Sequence, residues 1–157
     1  MSQPSNIVIR PPRIDEASDV FDLLKAYATY DGSISALRAN KISLSEELFG
    51  TQPTLHATVV LIDQQYAGLM LYYFSFSSWQ MKKCVWIEDL FVVEKYRSKG
   101  IGRRLLEKAR NIALEHNCAR VDWHVRRVNK NAQQFYTHMG GQIDDETIPV
   151  YWDISKA

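Results

Sequence analysis

Apolar residues recur along this chain with two periods, and each change of period marks an element. "IVIRPP" alternates and is closed by a proline pair that cannot donate to a ladder, so it predicts an opening strand. In "IDEASDVFDLLKAYATYDG" the residues Val20, Leu24 and Tyr27 return at helical spacing, with Asp15 as a candidate cap and Gly32 beyond the end, which predicts a first helix. A weaker helix is expected from Ser43 to Phe49. "TLHATVVLI" and "YAGLMLYYFSF", joined at "DQQ", predict a hairpin. "KKCVWIEDLFVV" is apolar on both faces: simple alternation sets Val85, Ile87, Phe91 and Val93 on one side, and Trp86, Leu90 and Val92 on the other. Such a strand belongs in the middle of a sheet. Ile101, Leu105, Ala109 and Ile112 then form the inward stripe of a helix ending near His116, and "RVDWHVR" returns as a strand. Asn129 is placed to cap a short helix carrying Ala132, Phe135, Tyr136 and Met139, with Gly140 as its stop, and "IPVYWDI" predicts a last strand.

Composition narrows the classes. At 157 residues and 46% hydrophobic, the chain is long enough for one well-filled core and too short for two ordinary domains. A formal net charge of +1, with no block of like charges, provides no footprint for nucleic acid or an anionic membrane. Apolar runs such as "LFVV" fall far below bilayer-spanning length, and "MSQPSNIVIRPP" lacks a basic region followed by a long apolar one, so a soluble, cytoplasmic protein is expected. Cys84 and Cys118 read as small hydrophobes in a reducing compartment, and His56, His116, His124 and His138 are scattered, so no metal is expected.

Two glycines carry the first chemical signal. In "EKYRSKGIGRRLLEKA", Gly100 and Gly102 stand where an apolar strand ends and a helix begins. A helix start has four unpaired N–H groups and about half a positive charge, and bare backbone lets an anion approach them. Arg97, Lys99, Arg103 and Arg104 add positive charge, so a phosphate or diphosphate is the natural guest; the plainer reading is a tight turn. A Walker loop would need Lys-Ser/Thr after the second glycine, where Arg103 and Arg104 stand, and a dinucleotide fingerprint would need glycine at Leu105.

The remaining pattern, Arg-x-x-Gly-x-Gly filled by Arg97, Gly100 and Gly102, resembles the diphosphate loop of the GNAT superfamily of N-acetyltransferases, which bind acetyl-coenzyme A (acetyl-CoA). The order of elements is also that superfamily's order. "WIEDLFVV", "YRSKGIG", "NKNAQQFY", "LYYFSFSSW" and "YATYDG" resemble its diamine and polyamine (spermidine/spermine) branch. The resemblance implies one N-acetyltransferase domain over residues 1–157. Its fold would be α/β, with a mixed central sheet of about six or seven strands flanked by about four helices.

Roles for named residues follow from the same resemblance. The backbone of Leu90, Phe91 and Val92 would pair with the pantetheine arm as an added strand. Arg97, Ser98, Lys99, Gly100, Ile101, Gly102 and Arg103 would hold the diphosphate, while Asn129, Lys130, Asn131 and Ala132 would meet the arm from the other side. Tyr30, Asp31, Glu88, Asp122, Trp123 and His124 match substrate-side positions, and Tyr136 matches the general acid that protonates the departing thiolate. A backbone N–H near Leu90, beside a bulge, would steady the developing oxyanion. Met139 stands where the superfamily has a basic residue, and the expected acidic substrate contact falls on Asp144, Asp145, Glu146 or none of them. A homodimer is usual among proteins of this kind.

The residues ask independently for such chemistry. Glu88 and Asp89 interrupt a strand apolar on both faces, where a lone carboxylate costs several kcal/mol. Either a neighbouring Arg120, Arg126 or Arg127 neutralises them, or Glu88 faces a pocket that holds an amine. An alkylamine with a pKa of about 10.4 arrives protonated and needs a proton acceptor before it can attack a thioester, a part Glu88 can play directly or through water. Tyr136 also reads as an ordinary core aromatic. The favoured function is therefore acetyl-CoA-dependent acetylation of a small cationic amine by direct attack in a ternary complex. The alternatives are another amine acceptor (a lysine analogue, an amino acid, an aminoglycoside or a protein N-terminus) or a non-catalytic acyl-CoA-binding module.

Overall fold

A computed structural model of the chain describes residues 6–156. By their internal contacts these residues divide after His124 into two units, 6–124 and 125–156.

The first unit is built on a sheet of five strands in the order β1 (Ile7–Arg10), β2 (His56–Ile62), β3 (Gln65–Ser77), β4 (Lys82–Val92) and β5 (Val121–Trp123). The first four are antiparallel neighbours, and β5 joins β4 in parallel through the crossover helix α3 (Ile101–Glu115). The β2–β3 turn is two residues, Asp63 and Gln64, both at positive φ (49° and 64°), the twist that a tight hairpin demands. α1 (Ala17–Tyr30) and α2 (Lys41–Phe49) cover one face, where Val20, Leu23, Leu24, Leu44 and Leu48 close on Ala57, Val59, Leu69 and Leu71. α3 covers the other with the expected stripe of Ile101, Leu105, Ala109 and Ile112, all buried. Gly68 lies on that face, where a Cβ would meet the Phe91 carbonyl oxygen at 3.1 Å.

Simple alternation fails in β4, and the failure positions the site. Leu71 pairs with Asp89 and Tyr72 with Ile87, so Glu88 is an extra residue, a β-bulge. Every side chain after it changes face. Phe91 pairs with Leu69 and meets Tyr27 of α1 at 5.6 Å between ring centroids, whereas Leu90 pairs with Met70 and Val92 with Gly68 on the α3 side. Trp86, Asp89 and Phe91 therefore share the α1 face, and Val85, Ile87, Leu90 and Val92 the other.

The helix ends differ in detail from expectation. Asp15 lies in a single 3-10 turn, Ile14–Glu16, and does not cap α1. α2 starts two residues early because Asn40 caps it: its Oδ1 accepts from the N–H of Ile42 and Ser43 at 2.9 and 3.0 Å. Gly32 stands past α1 at φ +74°, as expected.

In the second unit α4 (Lys130–His138) is capped by Asn129, whose Oδ1 accepts from Ala132 N–H at 3.1 Å, and Gly140 ends it at φ +91°. The strand expected in "IPVYWDI" is absent, so the described residues contain five strands rather than six or seven. A strand exists only by pairing, and Val150, Tyr151 and Trp152 are 87%, 89% and 90% exposed. Local turns take the segment instead: Asp144 accepts from Glu146 and Thr147 N–H, and Asp153 from Ser155 N–H.

One buried charge ties the first strand to the first helix. Glu16, 5% exposed, accepts two hydrogen bonds of 2.7 Å from Arg10 and one of 2.7 Å from the Arg13 N–H. Arg10 foremost, against the opposing cost of burial, holds its carboxyl down at about 2 from the usual 4.5. A depressed carboxyl stabilises the fold above its unfolded pKa and ceases to as pH falls through the folded value. Glu16→Gln is expected to lower stability by about 2 kcal/mol at pH 7 in urea denaturation, with the difference from wild type shrinking between about pH 4.5 and pH 2.

Candidate active site

β4 and β5 part company beside the bulge. Their parallel register covers only Val85–Val121, Trp86–Asp122 and Ile87–Trp123, while β4 runs on to Val92. From Glu88 onward the β5-side edge of β4 has no strand beside it among the described residues, so no ladder on that side takes up its N–H and C=O groups.

At the end of that edge the chain turns into α3. Gly100 is its N-cap at φ +75°, and Ser98 is also left-handed at φ +60°. Nothing lies within 4 Å of where a Cβ on Gly100 would sit, so the backbone angle rather than crowding calls for glycine. No side chain caps the helix and no acid occupies its first turn, while Arg103 and Arg104 stand exposed beside it. Arg97 is placed otherwise than as a free cation. Its Nε donates to the Val92 carbonyl at 2.9 Å, and its guanidinium lies 3.9 Å from the Tyr30 ring centroid and 5.8 Å from that of Phe91.

The acidic wall gathers on the α1 face. Glu88 is exposed at the bulge, where its Oε2 accepts from Trp86 Nε1 at 2.9 Å. Asp89 is half-buried, and burial, reinforced by the charges of Glu88 and Asp31, pushes its carboxyl up to about 6 from 3.8. Asp31, just past α1, accepts from Ser33 Oγ at 2.5 Å. Burial, and then the negative Glu88, raise the Tyr73 hydroxyl. Among the described residues no cation lies within ion-pair distance of Glu88 or Asp89; Arg120, one of the arginines that could have neutralised them, is held by Asp122 at 2.7 Å.

The substrate-side residues of β5 divide. Asp122 is in register with Trp86 and so on the acidic face, and His124 meets Trp86 edge-on with ring centroids 4.7 Å apart. Trp123 is in register with Ile87 and so on the α3 face. In the second unit Tyr136 is half-buried, 5.4 Å from Phe135 between ring centroids, and burial raises its hydroxyl above the usual tyrosine value. Asn129 is occupied in capping, with Lys130, Asn131 and Ala132 forming the first turn of α4. Asp144 is held in its own turn, Asp145 and Glu146 are exposed, and Met139 closes the helix.

Alternation and motif spacing do not reveal the strained state of Asp89 or the contact of Tyr30 with Arg97. The adjacent acids in an apolar strand were the available signal for the first. A carboxyl with a raised folded pKa weakens the fold as pH climbs from its unfolded value through the folded one. Asp89→Asn should therefore stabilise the protein by about 1 to 2 kcal/mol at pH 7.5, with the difference vanishing as the pH falls below the unfolded value of 3.8; equal melting temperatures of variant and wild type at pH 7.5 would count against a charged, desolvated Asp89.

The sequence pattern of the acetyltransferase (GNAT) family matches residues 17–140. The chain is 28% identical over 144 residues to the thialysine N-epsilon-acetyltransferase of Bos taurus, covering 87% of this chain and 84% of that one. It is 38% identical over 86 residues to an L-ornithine N5-acetyltransferase of Arabidopsis thaliana, covering 55% of this chain and 38% of the other. An aminoglycoside acetyltransferase from an uncultured soil metagenomic sample, solved with sisomicin, superposes with a TM-score of 0.81 at 16% identity, covering 94% and 96% of the two chains. That last likeness is one of fold.

Proposed function

The chain belongs to the GNAT acetyltransferase family, and from that premise we propose that it is an amine N-acetyltransferase acting on a small diamine or polyamine, with acetyl-CoA as donor and residues 1–157 as one catalytic domain. The carrying observation is the open edge of β4, which runs from two carboxylates without cations at one end to an uncapped helix start at the other.

The residues fit acetyl-CoA. The free edge at 88–92 offers main-chain groups to an extended pantetheine arm, and the left-handed Gly100 leaves the first amides of α3 open to a diphosphate, with Arg103 beside them. When bound, the donor supplies an activated thioester carbonyl. Asp31, Glu88 and Asp89, with Tyr73 and Trp86, attract an alkylammonium to the acidic face. Glu88, oriented by Trp86 and open to water at the bulge, takes the amine proton. The Leu90 N–H next to the bulge steadies the carbonyl oxygen as charge builds there; the resemblance assigns to the Tyr136 hydroxyl, kept protonated by burial, the supply of a proton to the sulfur. The resemblance also carries an expectation of a cytoplasmic homodimer.

A second acceptor class has its own support: relatives named for thialysine and L-ornithine point to an ω-amino acid. Its carboxylate would have to be kept away from three acids, which favours a plain diamine or polyamine.

Thiol release with putrescine, spermidine, thialysine and ornithine separates the readings. We expect the highest kcat/KM with putrescine or spermidine; an amino acid ahead of both would move the assignment to the second class, and no turnover with any amine would remove it. Glu88→Gln should lower kcat/KM by roughly 10²-fold or more, and Tyr136→Phe should lower kcat by roughly 10-fold to 10²-fold, with acetyl-CoA affinity held within a few-fold in both.

A further inference from the structure

The acceptor side and the donor side of the site are joined by one stacked pair of side chains. Tyr30 is the last residue of α1, next to Asp31, while Arg97 belongs to the turn that leads from β4 into α3. The resemblance assigns Tyr30 to the amine and Arg97 to the diphosphate. In the fold they face each other, guanidinium over ring at 3.9 Å, and both lie against Phe91, at 6.2 Å for Tyr30 and 5.8 Å for Arg97.

We propose that Tyr30 and Arg97 are a positioning pair, which quiets the acceptor-side residues at the end of α1 when the donor occupies β4 and the start of α3. The inference rests on the acetyl-CoA reading of that edge. Arg97 has its Nε committed to the Val92 carbonyl and one face covered by Tyr30, so it serves the diphosphate poorly and the scaffold well. The main-chain amides of α3 are left to hold the anion. A donor lying along β4 and across residues 98–103 immobilises both anchors of Arg97, its own backbone and the Val92 carbonyl. A guanidinium fixed at both ends stacks more persistently, and its ring partner loses the same freedom.

Tyr30 is well suited to receive that order. It is 66% exposed, its ring meets Phe91 and Arg97, and the chain leaves α1 immediately after it through Gly32 at φ +74°. Asp31 lies between, and its charge is felt at Asp89. Quieting Tyr30 therefore steadies one carboxylate of the acidic wall, and the amine meets a better ordered wall once the donor is in place.

Amide hydrogen exchange reads the link without reference to any amine. With saturating coenzyme A, amides 31–36 of the wild type should exchange more slowly by about two- to fivefold, the factor that a cation–π contact at an exposed site supplies. Tyr30→Phe should keep that slowing. Tyr30→Leu and Arg97→Gln should lose it, while amides 101–104 are protected by coenzyme A in all four proteins. Equal slowing at 31–36 in Tyr30→Leu, or no slowing there in the wild type with 101–104 protected, overturns the pairing. Absence of protection at 101–104 in the wild type overturns the pairing and the donor assignment together, whereas amine turnover tests the acceptor separately.

Discussion

One extra residue in β4 sets the arrangement on which the rest depends. Without the bulge at Glu88, a strand apolar on both faces would continue its alternation and send Phe91 toward α3 and Leu90 toward α1. With it, the aromatic ring packs beneath Tyr27 and Tyr30, and two consecutive carboxylates appear at the level where β5 leaves the sheet. The bulge loosens the ladder at Glu88, and the sheet on either side recovers its regular pairing.

Two half-hidden acids show how surroundings, rather than burial alone, decide a charge. Glu16 is the more buried and is held far below its usual pKa, because Arg10 grips both of its oxygens and a backbone N–H adds a third bond. Asp89 has acids for neighbours and moves the other way. The first is what a fold does with a charge it uses for stability. The second is a charge the fold leaves without a cation of its own, as the proposed amine site requires.

Most of the architecture was legible from periodicity, because amphipathic helices and apolar strands declare themselves through the surface they must bury. The stripe of α3, the Asn129 cap and the glycine stops stand where spacing put them. Periodicity did not show the register: alternation in β4 assigns Phe91 to the face of Ile87, and although the resemblance implied a bulge beside Leu90, the pairing with β3 is what identifies Glu88 as the inserted residue. Nor was the last strand, since alternation in "IPVYWDI" describes a segment able to pair and says nothing of whether a neighbour is there. The candidate chemistry showed in two local contradictions, glycines at a helix start and acids in an apolar strand. The Tyr30–Arg97 contact could not show, because it joins residues far apart in sequence through side-chain stacking alone.

A formal net charge of +1 conceals two poles. Arg97, Lys99, Arg103 and Arg104 lie near the start of α3, and Asp31, Glu88 and Asp89 gather at the other end of the exposed β4 edge. The five residues from Glu88 to Val92 span about 13 Å of strand, and Arg97, stacked on Tyr30 beside Asp31, bridges the two poles. A strand keeps that distance better than a loop would, because its ladder with β3 holds each peptide in register. On the proposed reading, an anionic donor and a cationic acceptor would be drawn to opposite ends of one rigid element, each discouraged from the other's place by like charge. On the same reading, the thioester of a donor stretched along the strand would reach the carboxylates without any large motion of the sheet, and proximity would come chiefly from a fixed length.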